Sequence, residues 1–180
     1  MNNFKFPGIQ IFILLFIALN LHSQDIPLPE HPRPDFQRES WINLNGLWEF
    51  QSDSLDQGLG EKWFEGPIFT EQITVPFPWG SKLSGVEDRA HIGWYSRRLD
   101  IPEDWAGKRC FLVIGACDWH TSVWIDGSYV GDHKGGYTPF EFDLTELTGA
   151  GRAHQLVLRV DDSPHSFKLE GQQGYGEAKG

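Results

Sequence analysis

Basic residues are scarce in this sequence. Fifteen Lys and Arg stand against 25 Asp and Glu, a formal charge of −10, which argues against an electropositive surface for nucleic acid or anionic membrane. Cysteine is nearly absent: Cys110 and Cys117 close the two ends of the apolar run 110–117. If that run is a strand, they sit on opposite faces about 23 Å apart, beyond the roughly 7 Å between bridged Cα atoms. Two buried thiols are therefore expected, with no redox or metal role. The histidines, at 22, 31, 91, 120, 133, 154 and 165, include no pair at helical i, i+4 spacing, so no zinc site is predicted. Gly174-x-Gly176 lacks the strand-to-helix context of a dinucleotide site, and no phosphate-cradling loop occurs. No cofactor is expected. Helical signal is confined to about one turn near 143–147, ended by Gly149 and Gly151.

A membrane-spanning run is also missing. Ile9 to Leu21 is apolar apart mainly from Gln10 and Asn20, shorter than the roughly 20 residues that cross a bilayer. With Lys5 before it and Ser23 offering a cleavage site ahead of Gln24, residues 1–23 read as a secretory signal. The mature chain is expected to be periplasmic or secreted, with no membrane contact after cleavage. About 157 residues then remain, enough for one domain with a real core.

Pro27, Pro29, Pro32 and Pro34 mark 24–40 as an extended arm. From Trp41 onward the chain reads as short strands with turn chemistry between them. Leu47–Gln51, Glu71–Val75 and Trp94–Ile101 are candidates, the last two ended by prolines. Arg109 to Ala116 is apolar throughout its middle, as a strand covered on both faces would be. Ser122–Ile125 and Ser128–Gly131 flank Asp126-Gly127, the pair that favours a type I′ hairpin turn. Phe140–Leu144 and Gln155–Val160 add two strands; in the second, Leu156, Leu158 and Val160 share one face, Val157 and Arg159 the other. The fold class is all-β: an antiparallel β-sandwich or jelly roll, over 41–180. The tail differs in texture, with Gly171, Gly174, Gly176 and Gly180 among Gln172, Gln173, Tyr175 and Glu177; it reads as a flexible or ligand-facing loop.

The chemistry of a catalytic centre is hard to find. A retaining glycosidase holds two carboxylates about 5–5.5 Å apart, and no Asp or Glu here occurs in a context that marks such a pair. Asp118, His120 and Ser122 alternate along one strand, in a row, whereas a hydrolytic triad converges from different elements. The eight Trp are an excess that suits sugar stacking in an exported protein, although half-buried core Trp is the default for any single one.

Several runs resemble the sugar-binding domain that opens glycoside hydrolase family 2 enzymes. They are Asn45-Gly46-Leu47-Trp48-Glu49-Phe50, then Gly93-Trp94-Tyr95-Ser96-Arg97-Arg98 with Ile101-Pro102 and Trp105-Ala106-Gly107, then Val123-Trp124-Ile125-Asp126-Gly127 and the block from Gly135 to Thr145. In order, they cover nearly all of 41–180. The resemblance implies a galactose-binding-domain-like jelly roll with Trp48, Trp94 and Trp124 as core anchors. It also implies partners: a following immunoglobulin-like domain, a (β/α)8 barrel that carries the catalytic glutamates, and a β-glycoside. Catalytic residues in this chain are therefore expected to be none. Family members place a sugar-contacting Asp six residues before a Gly that precedes the last strand, and an Asn three residues before the strand Tyr. Counting from Gly180 and Tyr95 puts Gly174 and Ile92 there, so both contacts depart from the pattern. Gln172, Gln173, Glu177 and His91 are the neighbours that could supply hydrogen bonds instead. The family continues past this point with a closing strand, so the domain is expected to be C-terminally truncated, the chain a fragment of a longer or disrupted gene. The alternatives are a free-standing carbohydrate-binding module and a non-catalytic interaction domain that pairs through its sheet edge.

Overall fold

The computed structural model describes residues 26–163 apart from positions 32, 34, 36, 37, 68 and 88–90. Eight strands follow one another: β1 (Gly46–Ser52), β2 (Glu71–Val75), β3 (Ile92–Asp100), β4 (Phe111–Ile114), β5 (His120–Ile125), β6 (Ser128–Lys134), β7 (Phe140–Asp143) and β8 (Ala153–Asp161). A 3-10 turn at Glu103–Trp105 separates β3 from β4. A six-stranded sheet of order β2-β1-β3-β8-β5-β6 accompanies a two-stranded sheet, β4-β7. Every pairing is antiparallel, so the molecule is an antiparallel β-sandwich, as the strand pattern predicts.

Alternation decides which side chains meet. On β1, Trp48 and Phe50 are buried and the intervening Glu49 is exposed. They join Ile73, Val123, Ile125 and Leu156 in the core on the inner face of the large sheet. The central strand β8 has no polar face to give to solvent: Leu156 lies in that core, while its neighbour Val157 lies in a second cluster with Ile92, Trp94 and Trp124 on the outer face. Full burial of a side chain of this size stabilises by about 1.5–3 kcal/mol, so a sheet covered on both sides is strongly favoured. Trp48, Trp94 and Trp124 all have relative exposures of 5% or less, in agreement with their expected place in the core.

What covers the outer face is the β1–β2 connection. Asp53, only 2% exposed, accepts hydrogen bonds from the Gln57 and Gly58 amides, each at 2.9 Å, and from the Trp94 indole at 3.0 Å. This seats the loop against the sheet. Phe64 then stacks on Trp124 at 5.1 Å with rings 8° apart, and Trp63 meets Trp94 edge-on at 5.9 Å. Arg159 on β8 reaches the same loop through Asp56 at 2.7 Å.

The Asp126-Gly127 turn adopts left-handed angles at both residues, φ 48° and 78°, as a type I′ hairpin demands. Asp126 does more than turn the chain. Its carboxylate accepts hydrogen bonds from His154 Nδ1 at 2.6 Å and the Gln155 amide at 2.7 Å, and His154 Nε2 accepts one from the Gly149 amide at 3.0 Å. These bonds place a ring proton of His154 on Nδ1. The segment after β7 makes a single turn, with Leu147 and Thr148 amides donating to the Leu144 carbonyl.

Two expectations are corrected. The run 109–116 is not covered on both faces: β4 spans only Phe111–Ile114, and Val113 is 60% exposed while Leu112 is buried. An apolar run cannot by itself distinguish one covered face from two. The cysteines flank this strand and do not lie within it; both are free thiols on partly buried residues.

Gly58 lies tight against the sheet. A Cβ added there would lie 2.5 Å from the Trp94 indole nitrogen, an overlap that forces the loop or the ring to move. Gly58→Ala is expected to destabilise the fold by about 1–3 kcal/mol in chemical denaturation. Gly66→Ala, which meets nothing within 4 Å, is expected to stay within about 0.5 kcal/mol of the parent.

Candidate functional site

The strand registers gather several loops at one end of the large sheet. Ile92 pairs with Asp161, and Asp161 with His120. The start of β3, the end of β8 and the loop before β5 therefore lie side by side. His91, just before β3, is exposed, and its carbonyl accepts the Asp162 amide at 2.7 Å. The chain thus leaves β8 beside His91 on its way to residues 164–180. Gln172, Gln173 and Glu177 belong to that stretch and lie outside the described residues.

Close approaches shape this end. Asp118 sits beneath Gly136, where a Cβ would meet its carboxyl group at 2.8 Å, and the Gly135 amide donates to the Trp119 carbonyl at 2.9 Å. Gly135 has φ 137°, which only glycine adopts without strain. The Gly135-Gly136 pair is thus a bend that lets the loop before β7 close on the loop before β5. Trp79 covers Gly93, at 2.7 Å from where its Cβ would be, and packs against Phe50 and Tyr95. Sequence reasoning did not single out Trp79 or Asp53; the cue was a lone Asp ahead of a glycine-bearing turn, which is too common to be specific.

The electrostatics are those of a scaffold under tension between burial and pairing. Burial alone would push the Asp161 carboxyl group up, yet the Ser163 hydroxyl and amide and the Arg159 guanidinium hold it below its ordinary value. Arg159 lies 3.2 Å from it. Burial pushes the Cys117 thiol up to about 11, with Thr121 opposing the shift, so this cysteine is a poor nucleophile at neutral pH. His120 Nε2 bonds Asp132 at 2.9 Å, and Asp132 also takes the Tyr129 hydroxyl at 2.7 Å. His120 is therefore oriented toward β6, not toward Ser122, and the row Asp118, His120, Ser122 makes no triad. Among the described residues no group of three His, Cys, Asp or Glu side chains is placed to hold a metal ion. Ile92 is turned into the outer cluster with Trp94 and Trp124, so its side chain is core. Of the four candidate sugar neighbours, only His91 falls on described structure, at the loop end.

The family described as glycosyl hydrolases family 2, sugar binding domain, matches residues 41–176. Among curated relatives, a β-glucuronidase of Paenibacillus borealis is 35% identical over 126 residues, covering 67% of this chain and 21% of the relative. A β-glucuronidase of Canis lupus familiaris is 33% identical over 153 residues, covering 76% and 23%. Among solved structures, a β-glucuronidase of an uncultured Clostridium sp. aligns with TM-score 0.59 at 33% identity, over 66% of this chain and 21% of that one. A β-glucuronidase of Ruminococcus gnavus in complex with D-glucuronic acid aligns with TM-score 0.61 at 25% identity, over 71% and 23%. The chain thus spans less than a quarter of the length of each of these relatives.

Asp161 sets a pH signature. Its carboxyl group ionises more readily in the folded chain than an ordinary aspartate does, so its stabilising contribution is complete above the unfolded value and is lost as pH falls through the lower folded one. Denaturation midpoints should fall on acidification below about pH 4, and Asp161→Asn should flatten that fall while lowering stability at pH 7.

Proposed function

We propose that this chain, which belongs to the family 2 glycosyl hydrolases through their sugar-binding domain, serves as the non-catalytic leading domain of an exported β-glycosidase that acts on β-glucuronides. The observation that carries this reading is the match of 41–176 to the family together with relatives of 33–35% identity, all β-glucuronidases. The matched stretch is only 21–23% of those relatives, which supports a division of labour. The β-sandwich supplies a rigid flank, and the carboxylate pair of a retaining mechanism resides in the downstream barrel.

The geometry supports the same division. The broad faces of the large sheet are occupied by apolar side chains, so a sugar has most access at the loop end. There His91 is exposed beside the exit of β8, and the segment with Gln172, Gln173 and Glu177 begins. These four residues are the proposed hydrogen-bonding neighbours of the glycoside.

Hydrolysis of 4-nitrophenyl β-glucuronide, β-galactoside and β-mannoside by the full product of the gene tests the activity. Turnover is expected with the glucuronide, and His91→Ala is expected to raise KM more than it lowers kcat. The 180-residue chain alone should release no nitrophenol. Preference for a neutral glycoside, or turnover by the chain alone, contradicts the reading. Export is checked by N-terminal sequencing of the periplasmic or culture fraction, where a mature start at Gln24 is expected. A cytoplasmic protein retaining residues 1–23 contradicts it.

A further inference from the structure

A concave feature lies away from the loop end. Residues of the arm and the start of β1 enclose an open groove of about 390 Å³, lined by Ile26, Pro27, Asn45, Leu47, Thr74 and Arg97 among others. That volume falls within the roughly 300–1,000 Å³ typical of small-molecule sites. Arg97 is well along β3 from His91, about 20 Å at a rise of roughly 3.3 Å per residue, so the groove and the loop end are separate places. The arm is fixed there: the Asn43 and Asn45 side-chain amides donate to the Leu28 and Pro27 carbonyls at 2.9 and 3.0 Å.

Arg97 differs from the ion-paired arginines of the domain, and it is half-buried where Arg38 and Arg152 are exposed. Arg98 pairs with Asp100, Arg109 with Asp143, and Arg159 with Asp56 and Asp161. Arg97 is half-buried, lies 5.7 Å from the Trp48 ring, and donates one nitrogen to the Leu44 and Asn45 carbonyls at 2.7 and 3.1 Å. Among the described residues no carboxylate forms an ion pair with it, and burial pushes its pKa down with no opposing charge. A partly desolvated cation is costly unless an anion completes it, and the free N–H groups of a guanidinium fork match a planar carboxylate in two parallel bonds. The walls are mixed. Pro27 and Leu47 offer apolar surface, and Asn45 and Thr74 offer polar side chains, the pairing that the C–H face and hydroxyl edge of a pyranose require.

We propose that this groove binds a pyranose that carries a carboxylate group, with Arg97 as the carboxylate-binding residue. The site is independent of the seam described above and needs no adjoining domain.

The test is an NMR titration of the full chain, labelled with 15N, against D-glucuronate, acetate and D-glucose. The Arg97 Nε–H resonance and the Gly46 and Thr74 amides are followed. Saturable shifts are expected with D-glucuronate, binding at least about tenfold weaker with acetate, and no response to D-glucose. Arg97→Met should abolish the shifts. Because Arg97 also holds two carbonyls, Leu47→Glu serves as the second variant: it sets a negative charge on the groove wall, leaves those bonds alone, and should also abolish binding. The proposal is overturned by glucuronate shifts that survive Leu47→Glu, by equal responses to acetate or D-glucose, or by no response. Shifts confined to His91 and Asp162 would also overturn it while leaving the function proposed for the loop end standing.

Discussion

A single buried carboxylate decides how this domain is layered. Asp53 is taken out of water, where an ionised group is costly unless its lone pairs are used, and it uses them on two loop amides and the Trp94 indole. With those bonds made, the β1–β2 connection lies flat on the outer face of the six-stranded sheet. The Phe64–Trp124 stack and the Arg159–Asp56 ion pair follow from that placement. Without it, Ile92, Trp94, Trp124 and Val157 would face solvent on the central strands, a contiguous apolar patch of the kind that soluble domains cover. The sandwich is therefore a sheet with two dry faces, one closed by β4 and β7 and the other by a loop.

That layering explains where sugar chemistry can be. Aromatic excess invites the idea of stacking platforms, but the aromatic rings here are largely engaged with one another, and Trp48, Trp94 and Trp124 are buried. Access is left at the ends of the strands. At one end the Gly135-Gly136 bend, Trp79 over Gly93 and His91 beside Asp162 build a compact set of loops. At the other, the pinned arm leaves a groove around Arg97. The two ends differ in kind: at the first, Arg159 meets Asp161 and His120 meets Asp132, while the second presents a cation with only carbonyl acceptors.

Much of the fold was legible because strand patterns and turn residues carry it locally. Asp126-Gly127 specified its hairpin through the need for positive φ at two successive residues, and the β8 sequence showed two apolar faces in Leu156 and Val157. The 110–117 run misled because burial on a second face depends on what packs there, and Val113 meets solvent. The covering loop was not legible at all. The apolar residues of 53–66 (Leu55, Leu59, Trp63 and Phe64) do not announce a cover for a sheet, and the loop's role rests on contacts between Asp53 and Trp94, far apart in sequence. The groove was equally hidden, since the missing partner of Arg97 is a property of its surroundings. Of the candidate sugar neighbours, His91 owes its place to the β3–β8 register, which no short motif announces.

The central claim is that the Asp53 carboxylate holds the loop that keeps the sheet dry on its outer face. Hydrogen exchange on Asp53→Ala, reading the Gly58 amide and the Trp94 indole proton, tests it most directly. Loss of the carboxylate leaves buried donors unpaired, at about 1–3 kcal/mol each. The account predicts that protection at both protons falls together, by at least about tenfold, while β4 and β7 amides change less. Unaltered protection at Gly58 and the Trp94 indole in a folded Asp53→Ala variant would contradict it.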